Sequence, residues 1–199
     1  MNEAGTAAQA RRLPPGRHGL SRELVRENQR RRLMGAATEA LAEQGYDAIT
    51  VTAIARAAGV STATLYKRFD GLWDCLLAAY EAGVDRLCKE IELAGTSAEN
   101  RSEAATAAIA KGLALLAAEP ALANLLFTAP PTNAVALGAA RLRFAERLAA
   151  LLHSMRRDGG AGSRGELPLV AGAMSLIARQ LRSGGQLPDL GPTLTAILL

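Results

Sequence analysis

The stretch TVTAIARAAGVSTATLYKRF, from Thr50 to Phe69, decides how this chain is read. Val51, Ile54, Ala55 and Ala58 fall at i, i+3, i+4 and i+7, which is one face of a short helix. The Thr50 hydroxyl stands where it can cap the first turn. Gly59 follows the last periodic residue, where a left-handed glycine ends a helix and opens a tight turn. Val60 is placed to plug the corner, and Ser61 to cap a second helix. In that second helix Leu65 and Phe69 are four apart and face inward. Ala63 and Lys67 lie on the opposite side, flanked by Thr64 and Tyr66. The outer face therefore offers a methyl, a hydroxyl, a phenol and an ammonium, a set suited to base edges and phosphates. The spacing predicts a helix-turn-helix that lays its second helix in the major groove of DNA.

Working towards the N-terminus, Leu33, Ala37 and Leu41 are spaced by four with Met34 beside them, and Gly45 ends the run. A helix is predicted from about Ser21, with Arg26, Arg30 and Arg31 off its apolar stripe. Tyr46 to Ile49 form a short link. Three helices thus precede residue 70. Residues 1–21 contain Pro14-Pro15-Gly16 and no periodicity, and are expected to be a mobile basic arm.

Charge supports the same partner. Residues 1–70 hold eleven Lys/Arg against seven Asp/Glu, and residues 71–199 hold twelve of each, so the whole net charge of +4 sits in the first part. Between Arg11 and Arg32 eight arginines face only Glu23 and Glu27. A basic stretch beside a groove-reading helix is the electrostatic footprint of phosphate binding.

Working towards the C-terminus, Asp70 is expected to cap a fourth helix. Its stripe is Trp73, Leu76, Leu77, Tyr80, Val84, Leu87 and Ile91. A loop from Gly95 to Asn100 and an alanine-rich helix over 102–118 follow. Glu119-Pro120 stops that helix before a short segment, Ala121 to Phe127. After the Thr128–Thr132 break, residues 133–157 carry two adjacent stripes, Leu142/Ala145/Ala149/Leu152 and Phe144/Leu148/Leu151/Met155. Two stripes predict burial on two sides. Asp158 to Gly165 reads as a mobile glycine-rich link. Leu169 to Ser183 is a further helix, where Gly172, Ala173 and Ser175 would admit a close partner helix. The final run, Thr193 to Leu199, is apolar and needs cover from this chain or a second copy.

Composition fits an all-α fold. Hydrophobic residues make up 49% of the chain and aromatics 4%, so the core is mainly Ala and Leu, the strongest helix formers. An enzyme reading lacks a catalytic set. His18 and His153 are the two histidines, each expected at the surface, and neither falls in a triad or metal pattern. The glycines of 159–165 lack the Lys-Ser/Thr of a phosphate-binding loop. Cys75 and Cys88 are thirteen apart on one helix, about 140° out of line, so they are expected to be separate buried thiols. No metal or cofactor is expected. The opening MNEAGTAAQARR has no apolar signal core, and no run reaches the ~18 apolar residues of a membrane span. A cytoplasmic protein without membrane contact is expected.

Residues 22–80 resemble the DNA-binding domain of the TetR family of bacterial transcriptional regulators. The resemblance rests on Arg32 to Ala37, Leu41, Gly45-Tyr46, Thr50-Val51, Ile54-Ala55, Ala58 to Ser61, Thr64 to Tyr66 and Phe69. Residues 167–199 also resemble the last two helices of many members, while 95–165 match only in helical character and length. Two positions depart. Ala53 stands where the family usually has an acidic residue, and Leu72 lies where a lysine near the start of the fourth helix is usual.

The resemblance implies a three-helix, homeodomain-like helix-turn-helix domain over 22–70 and a helical ligand-binding and dimerisation domain over 71–199. It implies a homodimer on a palindromic operator in double-stranded DNA, and a repressor released by a small, mostly apolar ligand held among residues 73–157, for example by Phe127 and Phe144. Ser61, Thr62, Thr64, Tyr66 and Lys67 would face DNA. Tyr66 and Thr52 would touch phosphate, and Lys67, then Thr62 and Ala63, base edges. Thr50 and Arg30 complete the candidate DNA-binding set. The competing expectation is a ligand sensor of the same build that has lost DNA binding and acts through a protein partner.

Overall fold

A computed structural model describes residues 22–96, 100–156 and 165–199. The expected basic arm and most of the expected glycine-rich link lie outside the described residues. The described residues form helices and turns with no strand, as the all-α expectation requires. Nine α-helices are described: α1 Arg22–Gln44, α2 Val51–Ala57, α3 Thr62–Tyr66, α4 Leu72–Gly95, α5 Arg101–Ala118, α6 Pro120–Phe127, α7 Val135–Arg156, α8 Glu166–Arg182 and α9 Gly191–Leu198. A 3-10 turn, Leu187–Leu190, precedes α9. The chain packs as two units, and the division falls within α4, between Tyr80 and Glu81.

In the first unit α1 buries Leu33, Ala37, Ala40 and Leu41, the face its spacing predicted. α2 buries Ile54 and Ala55, and α3 buries Leu65. Phe69, Cys75, Leu76 and Tyr80 complete this core. Gly45, at φ +74°, closes α1 where the sequence placed its end. Tyr46 packs against Trp73 with ring centroids 6.2 Å apart.

Three local expectations shift. The fourth helix starts at Leu72, and the Gly71 carbonyl before it accepts from the Cys75 amide, so the cap position lies one residue past Asp70. It is the Asp74 carboxylate that reaches back, accepting from the Asp70 amide at 3.0 Å. The second helix of the motif ends at Tyr66, and Lys67 and Arg68 form the turn that returns the chain to Phe69. Asn100 caps α5 by accepting from the Glu103 amide, a cap the loop reading passed over.

In the second unit α5 packs against α7, α9 and the 3-10 turn, and α8 packs against α6, α7 and α9. Proline at the start of α6 supplies a fixed φ where no amide partner is needed, and α6 leaves α5 at 111°. Gly83 of α4 lies under α6, where a Cβ would come within 2.6 Å of a Leu122 methyl. Arg86 grips Glu119 with both guanidinium nitrogens, one at 2.6 Å. α7 buries Leu137, Ala140, Phe144, Ala145, Ala149 and Leu152. Leu142, expected in the core, is 56% exposed. Its stripe begins on Leu137 and Ala140, and that register turns Leu142 outward. The final run is covered from within the chain at Leu194 and Leu198, while Ile197 and Leu199 stay exposed. Among the described residues no single helix is long and apolar enough to cross a membrane.

His153 is not the surface histidine expected. Its side chain is largely covered, and its Nδ1 lies 3.1 Å from the Glu166 carboxylate across α7 and α8. Cys75 and Cys88 are both buried and free. Burial pushes the Cys75 thiol up to about 12, with nearby Asp74 adding and Arg30 opposing. Burial likewise pushes Cys88 up to about 11.

Candidate nucleic-acid interface

The interface candidate is built by two side-chain caps and one glycine. Thr50 precedes α2 in extended backbone, and its hydroxyl accepts from the Ala53 amide at 3.2 Å. Such a cap is worth ~1 kcal/mol. With alanine at position 53 there is no carboxylate to return the bond, so the reciprocal half of a capping box is missing. Gly59 then takes φ +61° and ends α2. A side chain there would be strained, and its Cβ would lie 2.7 Å from an Arg32 guanidinium nitrogen. Arg32 occupies that space because it donates to the Ala58 carbonyl, one of the carbonyls left open at the end of α2. Ser61 caps α3 by accepting from the Thr64 amide at 3.1 Å, and its hydroxyl also meets that of Thr64 at 3.0 Å.

α3 is only five residues long, so packing must hold it in place. Leu65 and Phe69 supply that packing from below. Everything else on α3 points away. Thr62, Ala63, Tyr66 and Lys67 are exposed, and Thr64 is half-buried beside Ser61. Tyr66 is 60% exposed, although a tyrosine ring gains from burial. Thr50, Thr52 and Ser61 are exposed as well. Eight of the nine candidate residues thus sit on α2, α3 or their caps with side chains that are exposed or, for Thr64, half-buried.

The ninth, Arg30, is placed differently. It is half-buried on α1, with its guanidinium carbon 4.6 Å from the centre of the Phe69 ring. One of its nitrogens is 3.5 Å from the Arg68 carbonyl, at the outer limit of a hydrogen bond. Arg68 is itself tied back to α1 through Gln29 at 3.0 Å. Sequence reading missed this Gln29–Arg68 contact, which joins residues 39 apart. It also passed over Arg56, an exposed cation in the last turn of α2. Its charge and its place one turn after Thr52 were the available signals. Leu72, standing where a lysine was usual in the resemblance, is half-buried at the start of α4.

The second unit holds a cavity of about 110 Å³, bounded by α5, α7, α8, α9 and the ends of α4 and α6. Its lining includes Ile91, Leu113, Phe127, Met155, Met174 and Leu198, and among the described residues no charged or hydrogen-bonding side chain lines it. Phe127 lines it as expected. Phe144 does not; it stands behind Phe127, edge-on at 5.9 Å between centroids. Among the described residues no group of three His, Cys, Asp or Glu could hold a metal.

A capped, exposed helix-turn-helix followed by helices around an apolar cavity defines a two-part, all-α architecture. Residues 33–79 match the model of the tetR family of bacterial regulatory proteins. The match covers α2, α3 and the adjoining parts of α1 and α4, and the rest of the chain lies outside it. The HTH-type transcriptional activator FasR of Mycolicibacterium smegmatis (strain ATCC 700084 / mc(2)155) is 32% identical over 104 residues, which are 51% of this chain and 48% of that one. The chain therefore spans about half the length of the curated relative it matches. Among solved structures, the fatty acid degradation regulator FadR of Bacillus halodurans has a TM-score of 0.75 at 19% identity, over 85% of this chain and 94% of its own. FadR of Bacillus subtilis, solved in complex with stearoyl-CoA, has a TM-score of 0.66 at 20% identity, over 84% and 96%. At such identities the likeness is one of fold.

Proposed function

We propose that this chain is a sequence-specific DNA-binding transcriptional regulator, a repressor released from a palindromic operator by an apolar ligand. The observation that carries the reading is α3, a short capped helix with Thr62, Ala63 and Tyr66 exposed and Lys67 exposed at its C-terminal cap. Exposing a phenol and two methyl-bearing side chains on a rigidly held turn has no benefit for folding, and it suits thymine methyls, phosphates and base edges. Thr50, Thr52 and Ser61 join this surface, with Arg56 added. The same face counts against the protein-partner sensor, even with Leu72 replacing the usual lysine.

Dimerisation is part of the proposal. Val135 and Leu142 of α7 are 75% and 56% exposed, and on α8 a Cβ at exposed Gly172 would meet nothing within 4 Å. Two copies would set their recognition helices about one DNA turn apart. The proposed ligand is a single apolar chain. The cavity offers no cation, so a chain enters it and any charged head group stays outside. At about 110 Å³ it is smaller than the ~150 Å³ engineered cavity that holds benzene, so a long chain requires the flexible Met155 and Met174 side chains to move. The stearoyl-CoA held by the B. subtilis FadR supports an acyl chain as this ligand.

Activation is a second reading with a specific observation behind it, the activator named among the relatives. A reporter driven by an operator selected from random duplex on the purified chain separates the two by its sign. The DNA-binding core of the proposal is tested by fluorescence anisotropy with that operator and with a random duplex over a range of salt. Affinity should fall steeply as salt rises, and saturated long-chain acyl-CoA should release the specific complex. Absence of binding in low salt removes the regulator reading in favour of the sensor.

A further inference from the structure

Arg30 has every compositional mark of a phosphate contact. It lies in the arginine-rich run before the helix-turn-helix, and a guanidinium is well suited to phosphate. Its surroundings are those of a different part. The planar group lies over the Phe69 ring at 4.6 Å. Phe69 is buried and is the residue through which the chain leaves α3. The same guanidinium points a nitrogen at the Arg68 carbonyl. The neighbouring α1 residue, Gln29, holds the Arg68 side chain at 3.0 Å, and Arg68 in turn donates to the Lys67 carbonyl at 3.3 Å. Two consecutive residues of α1 thus hold the C-terminal end of a five-residue helix that has too few backbone bonds to hold itself.

We infer that Arg30 is a positioning residue for DNA reading: stacked on Phe69 beside the Gln29–Arg68 contact, it sets the attitude at which α3 presents Tyr66 and Lys67, and it does not neutralise a phosphate. The inference rests on the DNA-binding reading of α3. Arginine is required because the job is done by a flat, delocalised cation lying on a ring while its edge reaches a carbonyl. A lysine ammonium keeps the charge and loses that combination.

The test compares Arg30→Lys, Arg30→Met and Lys67→Ala in the full chain, on the selected operator and on unrelated duplex, over a range of salt. Both Arg30 variants should lose about tenfold in operator affinity, the scale of a cation–π contact in a covered setting. Their affinity for unrelated duplex and their salt slope should stay at the native values. A phosphate contact gives the opposite pattern: Arg30→Lys binds as the native chain does, and Arg30→Met lowers the slope by about 0.9. That pattern overturns the inference. Hydrogen exchange without DNA supplies an independent arm. The amides of Arg68 and Phe69, bonded to Leu65, should exchange faster in both Arg30 variants, and unchanged exchange contradicts the positioning role. If the native chain binds no duplex while exchange responds as expected, the DNA reading fails and the contact on Phe69 stands.

Discussion

The two units solve different problems with different chemistry. In the first, small polar devices set the geometry: Thr50 and Ser61 cap, Gly59 turns, and Arg32 fills the open end of α2. In the second, polar ties such as Arg86–Glu119 and the Asn100 cap lie away from the cavity, and the interior is left to apolar packing that is incomplete, leaving about 110 Å³ lined by Leu, Ile, Ala, Gly, Phe, Met and Val. A surface that reads DNA must be presented at a fixed attitude, which directional bonds provide. A site for an apolar chain needs volume that can change, which soft side chains provide. On the proposed reading, directional bonds and loose packing each stand where one function needs them.

The largest expected effect contrasts neighbours within the first unit. Leu65 has no exposed surface, so Leu65→Ala should cost about 3 kcal/mol of unfolding free energy in a denaturant titration. Tyr66→Phe and Lys67→Ala, one and two residues on, should leave that free energy within about 0.5 kcal/mol while weakening operator binding. Equal destabilisation at Leu65 and Tyr66 would show that α3 is packed on both faces.

The next effect contrasts two alanines of the second unit. Ala123 of α6 has no exposed surface and does not line the cavity, whereas Ala108 of α5 does. Ala123→Leu should cost about 1–3 kcal/mol through overpacking. Ala108→Leu should be close to neutral, because the added carbons fill existing space, and it should abolish acyl-chain binding measured by displacement of a fluorescent fatty acid. A large cost at Ala108 would mean the cavity cannot accept carbon.

Smaller effects follow at the caps. Ser61→Ala and Thr50→Ala should each cost about 1 kcal/mol by thermal unfolding, with Ser61→Ala also weakening operator binding. No comparable polar position exists on the cavity wall, so the contrast between the units weakens if these caps prove silent.

The smallest effect at neutral pH concerns the thiols. Burial raises Cys75 from 9.0 to about 12 and Cys88 from 9.0 to about 11. The unfolded chain therefore releases these protons first as pH rises, so stability is full below pH 9 and declines from there towards pH 11–12. Cys75→Ala with Cys88→Ala should flatten that decline, and native protein at pH 8 should resist iodoacetamide. Rapid alkylation of the folded chain would place the thiols nearer solvent than their burial shows.

Much of the fold was legible because helical spacing, alanine richness and left-handed glycines act locally. Gly45 and Gly59 end helices where the pattern stops, and Thr50 and Ser61 cap where expected. The misses at Phe144, His153 and Arg30 share one cause, dependence on residues distant in sequence, whereas the miss at Leu142 is one of helical register. Leu142 fits an apolar stripe by spacing alone, yet the register set by Leu137 and Phe144 turns it out. Phe144 reads as cavity wall until Phe127 is seen in front of it. His153 reads as a surface residue until Glu166 arrives from α8. Within the candidate site, Arg30 looks like its exposed neighbours in composition, and only Phe69, brought in by the fold, distinguishes it.

The most direct test of the DNA-reading face is selection from random duplex, run in parallel on the native chain and on Lys67→Ala, with light scattering on the same samples. The assignment predicts that a dimer of the native chain enriches a palindrome, and that the Lys67 variant loses preference at one symmetric pair of positions while remaining a dimer. No enrichment by the native chain in low salt, without acyl ligand, would contradict it.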